Sequence, residues 1–114
     1  MHRRRHRAHP ELEGSAPLFA ALGDETRLRL VASLCAGGPA SITRLTAGAG
    51  VTRQAVTKHL NVLAGVGLAR CTRHGREQRW ELEPAQLEQA RRFLEIISNR
   101  WDGALGRLKA LVES

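Results

Sequence analysis

Apolar residues do not begin to recur at a regular spacing in this chain until about residue 15. The stretch "APLFAALG" predicts a short helix ending at Gly23. A second helix follows over "DETRLRLVASLCAGGP". Asp24 suits its N-cap, and Leu28, Val31, Leu34 and Cys35 fall at helical spacing on its inner face. Gly37, Gly38 and Pro39 stop it. Ser41 caps a third, short helix with Ile42 and Leu45 turned inward, and Gly48 and Gly50 break it. Thr52 caps a fourth helix, "TRQAVTKHLNVL", which ends near Gly65 and Gly67. Two helices joined by a tight, glycine-containing turn make a helix-turn-helix pattern.

From Leu68 the period shortens. "LARCTRHGREQRWEL" reads as strand, turn at His74-Gly75-Arg76, and strand. Pro84 sits where the first turn of a helix tolerates proline, and about thirty residues of helical period follow it. Leu87, Ala90, Leu94, Ile97, Trp101, Ala104, Leu108 and Leu111 trace a heptad seam, with Phe93, Ile96, Leu105 and Val112 in a second stripe beside it. One stripe covers the domain's own core, and a second copy of the chain is the simplest cover for the other. Gly103 and Gly106 weaken the helix between them. The expected fold class is mainly α with a small β-hairpin: a dimeric winged helix-turn-helix. Residues 1–14 are expected to form a disordered basic arm, and residues 15–114 the domain with its C-terminal dimerisation helix.

Composition and charge add a partner to this picture. The chain has 114 residues, enough for one domain, and only two Phe, two Trp and no Tyr, so aliphatic side chains must fill its core. The formal charge is +7, and it is unevenly placed. The first ten residues hold four Arg and no acid, and residues 40–80 carry a net +6. Such a block favours a polyanion. The fourth helix has no acid at all. Gln54, Thr57, Lys58 and Asn61 fall on one of its faces and Val56, Leu60 and Leu63 on another. Gln and Asn can pair with adenine edges, Thr can meet a base or a thymine methyl, and Lys58 and Arg53 can neutralise phosphates. His59 lies between the two faces, where packing and a phosphate contact are both open. Arg73, Arg76 and Arg79 surround Gly75, as in a wing reaching the minor groove or flanking phosphates, or in an edge hairpin guarded by charge.

Other function classes lose ground. No run of about 18 apolar residues is present to span a membrane, and the charged start lacks the apolar stretch of a secretory signal. Cys35 and Cys71 form no C-x-x-C pair, which fits a reducing cytoplasm. Cys35 is expected in the core, and Cys71 beside Arg70 and Arg73 is either a packed thiol or a redox-sensitive one. No activated nucleophile, phosphate-cradling loop or paired carboxylates suggest an enzyme.

The pieces "LFAALGDETRLRLVASL", "TRQAVTKHLNVLAGVGLA" and "GREQRWEL" resemble the ArsR-type winged helix-turn-helix repressors of bacteria, over residues 18–112. The resemblance implies a homodimer that occupies double-stranded operator DNA in its own promoter region and blocks transcription. The DNA contacts it implies fall on Arg53, Gln54, Thr57, Lys58, His59, Asn61, Arg73 and Arg76. The dimer contacts expected are Leu18, Phe19, Leu94, Ile97, Trp101, Leu105 and Leu108. Many family members bind metal through a C-x-C pair. The two positions here are Ser41 and Thr43, whose hydroxyls cannot replace thiolates. No His follows His74 to build the site that other members place on the last helix. No metal or cofactor is therefore expected, and "NRWDGALGRLKALVE" resembles a non-metal subgroup. Two alternatives stand beside this reading. One is a metal- or redox-responsive sensor using Cys35, Cys71 or the N-terminal His; the other is a winged-helix protein-interaction module. The inducer is unknown.

Overall fold

A computed structural model describes residues 9–113. Five helices and one hairpin follow in the order α1 (Ser15–Leu22), α2 (Glu25–Gly37), α3 (Ile42–Ala47), α4 (Arg53–Gly65), β1 (Ala69–His74), β2 (Glu77–Leu82) and α5 (Pro84–Glu113). The winged helix-turn-helix is thus present, with α3 and α4 as its helical pair and β1–β2 as its wing.

Capping side chains set the helix starts. Asp24 accepts from the backbone N–H of Arg27 at 3.0 Å, Ser41 from that of Arg44 at 3.2 Å, and Thr52 from that of Ala55 at 3.1 Å. Each satisfies a donor that the first turn of a helix leaves orphaned. The hairpin turns through Gly75 and Arg76. Gly75 has φ +66, a conformation open to glycine and costly for a residue with a Cβ.

The core forms where α1, α2, α3 and the start of α5 close around α4. Val56, Leu60, Leu63 and Leu68 are fully buried at its centre. Leu30 and Leu34 come in from α2, Leu45 from α3, and Ala90 and Phe93 from α5. The wing is fastened to this body by a third short strand segment. Ala40 pairs with Trp80 through two backbone hydrogen bonds of 3.0 and 2.8 Å. At the other end of α4, Gln86 of α5 donates to the carbonyl of Val66 at 2.7 Å.

Four sequence expectations need correction. On α2, Leu28 and Cys35 face solvent while Leu30 and Leu34 enter the core. Leu28 and Cys35 are seven residues apart, so they share a face, and it is the face turned away from α4. Leu18 was expected between protomers. It is 2% exposed within its own protomer and has no surface left to offer a partner. Phe19 is half-buried and meets Phe93 edge-on, with ring centroids 6.2 Å apart. The arm is shorter than expected, because Pro10–Leu12 form a 3-10 turn, Leu12 packs against the core, and Arg100 bonds His9 and Glu11. The remainder of that arm, residues 1–8, lies outside the described residues.

The long helix is unbroken through Gly103 and Gly106. Its seam does not stay on one side of the molecule. Leu87 and Ala90 face the core, whereas Leu94, Ile97, Trp101 and Leu108 are exposed, and Trp101 is 63% exposed. The thirty residues carry α5 about 45 Å, well past the core that its first turns cover.

Replacing Leu60 with Ala removes a fully buried side chain at the centre of the core. Unfolding free energy should fall by about 2–5 kcal/mol, as read by chemical denaturation. The Asp24 carboxylate is held below the usual range, first by the backbone N–H of Arg27 and then by the Arg27 and His59 charges. The unfolded chain therefore takes up that proton first as pH falls. The contribution of Asp24 to stability should be full above about pH 5 and decline as pH drops through and below the ordinary Asp value of about 3.9. Melts of Asp24→Asn across this range should show a shallower decline.

Candidate nucleic-acid interface

Burying Val56, Leu60 and Leu63 forces the opposite side of α4 outward. Gln54, Lys58 and Asn61 are exposed there, and Thr57 is half-buried at its edge. Among the described residues, Gln54, Lys58 and Asn61 make no hydrogen bond or ion pair, so their polar groups stand ready for an outside partner. Thr57 donates instead to the carbonyl of Arg53 at 2.9 Å. Its methyl remains for apolar contact.

Arg53 begins the helix and is braced across the turn by Thr43 of α3, at 3.0 Å. Beside it the wing closes an open cleft of about 700 Å³. Arg53 and Thr57 line one wall of that cleft, Ser41 and Thr43 another, and Arg73, Arg76, Gln78 and Trp80 the wing side. Three guanidinium groups and three hydroxyls thus converge on one concave strip next to the polar face of α4. The only acid lining the strip is Glu77, and it is paired with Arg79 at 2.9 Å.

Strand register separates the arginines of the wing. Cys71 pairs with Trp80 and Arg73 with Gln78, which sets these four on one face. The other face neutralises itself. Arg70 bonds Glu83 at 2.7 Å and Glu81 at 3.3 Å, and Thr72 donates to Glu81 at 3.0 Å. The Thr72 hydroxyl, followed by Arg70, holds the Glu81 carboxyl below its usual range. Arg79, paired with Glu77, is therefore no free cation. Arg73 folds over its own turn onto the Gly75 carbonyl at 3.3 Å, and Arg76 engages no acid among the described residues.

His59 belongs elsewhere. Its ring is 22% exposed and meets α2, with Nδ1 at 3.1 Å from the Arg27 guanidinium and 3.9 Å from Asp24. It does not join the face formed by Gln54, Lys58 and Asn61. Sequence reasoning also missed Trp80 and Ser41. A single Trp among Glu, Gln and Arg in β2 was the available signal for the first.

Residues 22–72 match a family model described as a helix-turn-helix domain. An ArsR-like transcriptional regulator from Rhodococcus sp. RHA1 has a solved structure that superposes with a TM-score of 0.73 at 38% identity, covering 86% of this chain and 92% of that one. The chain belongs to the ArsR family of transcriptional regulators. A second solved structure, a "possible transcriptional regulator for arsenical resistance", is 32% identical with a TM-score of 0.63, covering 80% of this chain and 91% of that one. The HTH-type transcriptional regulator CmtR of Mycobacterium bovis is 39% identical over 75 residues, which are 66% of this chain and 63% of CmtR. The match thus spans less than two thirds of that curated relative. The ArsR family is one of regulators rather than enzymes, and among the described residues no helix is long and apolar enough to cross a membrane.

The split among cations gives a contrast to measure on duplex DNA. Lys58→Ala and Arg76→Ala should each weaken binding and reduce the slope of log affinity against log salt by about one, because one phosphate fewer is neutralised. Arg79→Ala, which removes a side chain already paired, should leave that slope unchanged.

Proposed function

We propose that this chain is a homodimeric, sequence-specific DNA-binding repressor that regulates its own promoter without the metal sites common in its family. The observation that carries the reading is the acid-free face of α4, with the side chains of Gln54, Lys58 and Asn61 unpaired among the described residues, beside the cleft of Arg53, Arg73 and Arg76. Gln54 and Asn61 offer the paired donor and acceptor that an adenine edge matches in the major groove. Lys58, Arg53 and the wing arginines supply phosphate contacts that set register but carry no base information. Occupying the promoter is enough to repress.

Two copies follow from the outer stripe of α5. Leu94, Ile97, Trp101, Leu105 and Leu108 are all exposed on one helix, the kind of apolar patch that marks an interaction surface. A two-fold pair covers both copies of such a stripe at once and sets two α4 helices against successive major grooves, about 34 Å apart. Independence from metal is supported by Ser41 and Thr43 at the C-x-C positions.

Fluorescence anisotropy of the reduced, metal-free protein tests the reading on its own upstream DNA and on a shuffled duplex, across a salt series and then with zinc. Tight binding confined to the upstream duplex and indifferent to zinc is expected. Equal, salt-sensitive binding to both duplexes would refute a specific repressor, and release by zinc would refute metal independence. Trp101→Ala should shift the protein towards monomer in sedimentation and lower operator affinity with it; a variant that remains fully dimeric would remove Trp101 from the interface.

A further inference from the structure

Arg27, in the first turn of α2, sends its donors three ways. Its backbone N–H goes to the Asp24 cap, its Nε to the carbonyl of Ala21 at the end of α1 at 2.6 Å, and a terminal guanidinium nitrogen to Nδ1 of His59 in the middle of α4, at 3.1 Å. One side chain therefore ties α1, α2 and α4 together. A guanidinium can only donate, so Nδ1 of His59 must carry a lone pair, and the ring's proton sits on Nε2.

The surroundings make that state the one the fold uses. From α1 no charged side chain faces His59, since Ser15–Leu22 contains none. From α2 come Arg27 and Asp24, while Glu25 and Arg29 pair with each other on the exposed side. The one charged residue of α3, Arg44, lies beside Gly37 at the far end of α2. In β1, Arg70 is held by Glu81 and Glu83, Arg73 by its own turn, and His74 by Thr72. On α4, Arg53 is engaged with Thr43, and Lys58 is exposed on the polar face. A proton on Nδ1 would thus remove the acceptor for Arg27 and set two cations against each other, with the Asp24 carboxylate 3.9 Å away.

We propose that Arg27 is a positioning residue for sequence recognition: through neutral His59 it sets the rotation of α4 about its own axis. The proposal rests on the reading of α4 as the recognition helix. Val56, Leu60 and Leu63 hold α4 in place, but apolar contact is non-directional and tolerates a few degrees of roll. A charge-assisted hydrogen bond on the flank of the helix does not. Roll displaces the tips of Gln54 and Asn61, and pairing with base edges needs correct geometry. Lys58 on a phosphate tolerates the same displacement. The Arg27–His59 bond therefore governs discrimination between DNA sequences and leaves general affinity for duplex alone.

The test measures the ratio of affinities for the upstream and shuffled duplexes from pH 5.5 to 8. The proteins compared are wild type, Arg27→Lys, His59→Ala and His59→Asn, each checked for folding by thermal melt. The Oδ1 of Asn can accept where Nδ1 does, and it does not titrate. In wild type the ratio should stand about tenfold above that of a protein lacking this bond, the order expected when a hydrogen bond to a charged group is lost. Arg27→Lys and His59→Ala should show the low ratio at every pH, with unchanged shuffled-duplex affinity and salt slope. His59→Asn should keep the high ratio throughout. A folded His59→Ala with the wild-type ratio and pH profile overturns the proposal. So does a parallel loss on both duplexes with a salt slope smaller by about one, which would make His59 a phosphate contact. A wild-type protein that never prefers the upstream duplex overturns the reading of α4 itself, and the positioning role with it.

Discussion

The burial of one face of α4 is the constraint on which the rest of the molecule depends. Val56, Leu60 and Leu63 are each fully withdrawn from water, and α1, α2, α3 and the first turns of α5 close around them. Because a helix is rigid about its axis, committing that face inward commits Gln54, Lys58 and Asn61 outward. The hydrophobic effect supplies the force and has no interest in DNA. Presentation of the polar face is its by-product, and the ends and flank of α4 are then pinned by directional bonds from Thr52, Gln86 and Arg27.

A second constraint is electrostatic and works by subtraction. Seven cations fall between residues 40 and 80, but the fold does not leave them all available. The outer face of the wing spends Arg70 on Glu81 and Glu83, and Arg79 on Glu77. Of the five that remain, Arg53, Arg73 and Arg76 converge on the cleft between the wing and the helical pair, and Lys58 stands exposed on the adjoining face of α4. Trp80 matters here through its backbone. Its backbone pairing with Ala40 anchors β2 to the loop before α3, so the wing is held at a set distance from α4. Self-neutralisation on one face and free charge on the other give the wing a direction.

The long helix divides its work along its length. Its first turns complete the core through Ala90 and Phe93, and Gln86 caps the carbonyl end of α4. Its later turns carry Leu94, Ile97, Trp101, Leu105 and Leu108 away from the core and leave them exposed. The same element therefore touches the end of α4 and carries the exposed apolar stripe.

Local chemistry by itself determined the elements and their order. The caps at Asp24, Ser41 and Thr52 fix helix starts within their own first turns, and Gly75 fixes the hairpin turn. The 3.6-residue period of α4 separates its two faces without help from any neighbour. These are short-range effects, and the residues that cause them are adjacent in the chain. Tertiary structure alone decided the rest. Whether Leu28 or Leu30 of α2 faces inward depends on where α4 lies, and both choices suit a helix. Leu18 and Trp101 are equally apolar in sequence, yet one is enclosed by its own protomer and the other is not, because α5 outruns the core. His59 lies between two faces of α4, and only the approach of Arg27 from another helix assigns its Nδ1. The difference among Arg70, Arg73, Arg76 and Arg79 comes from strand register and from acids brought opposite by folding. A property carried by contacts between distant segments cannot be read until those segments have met.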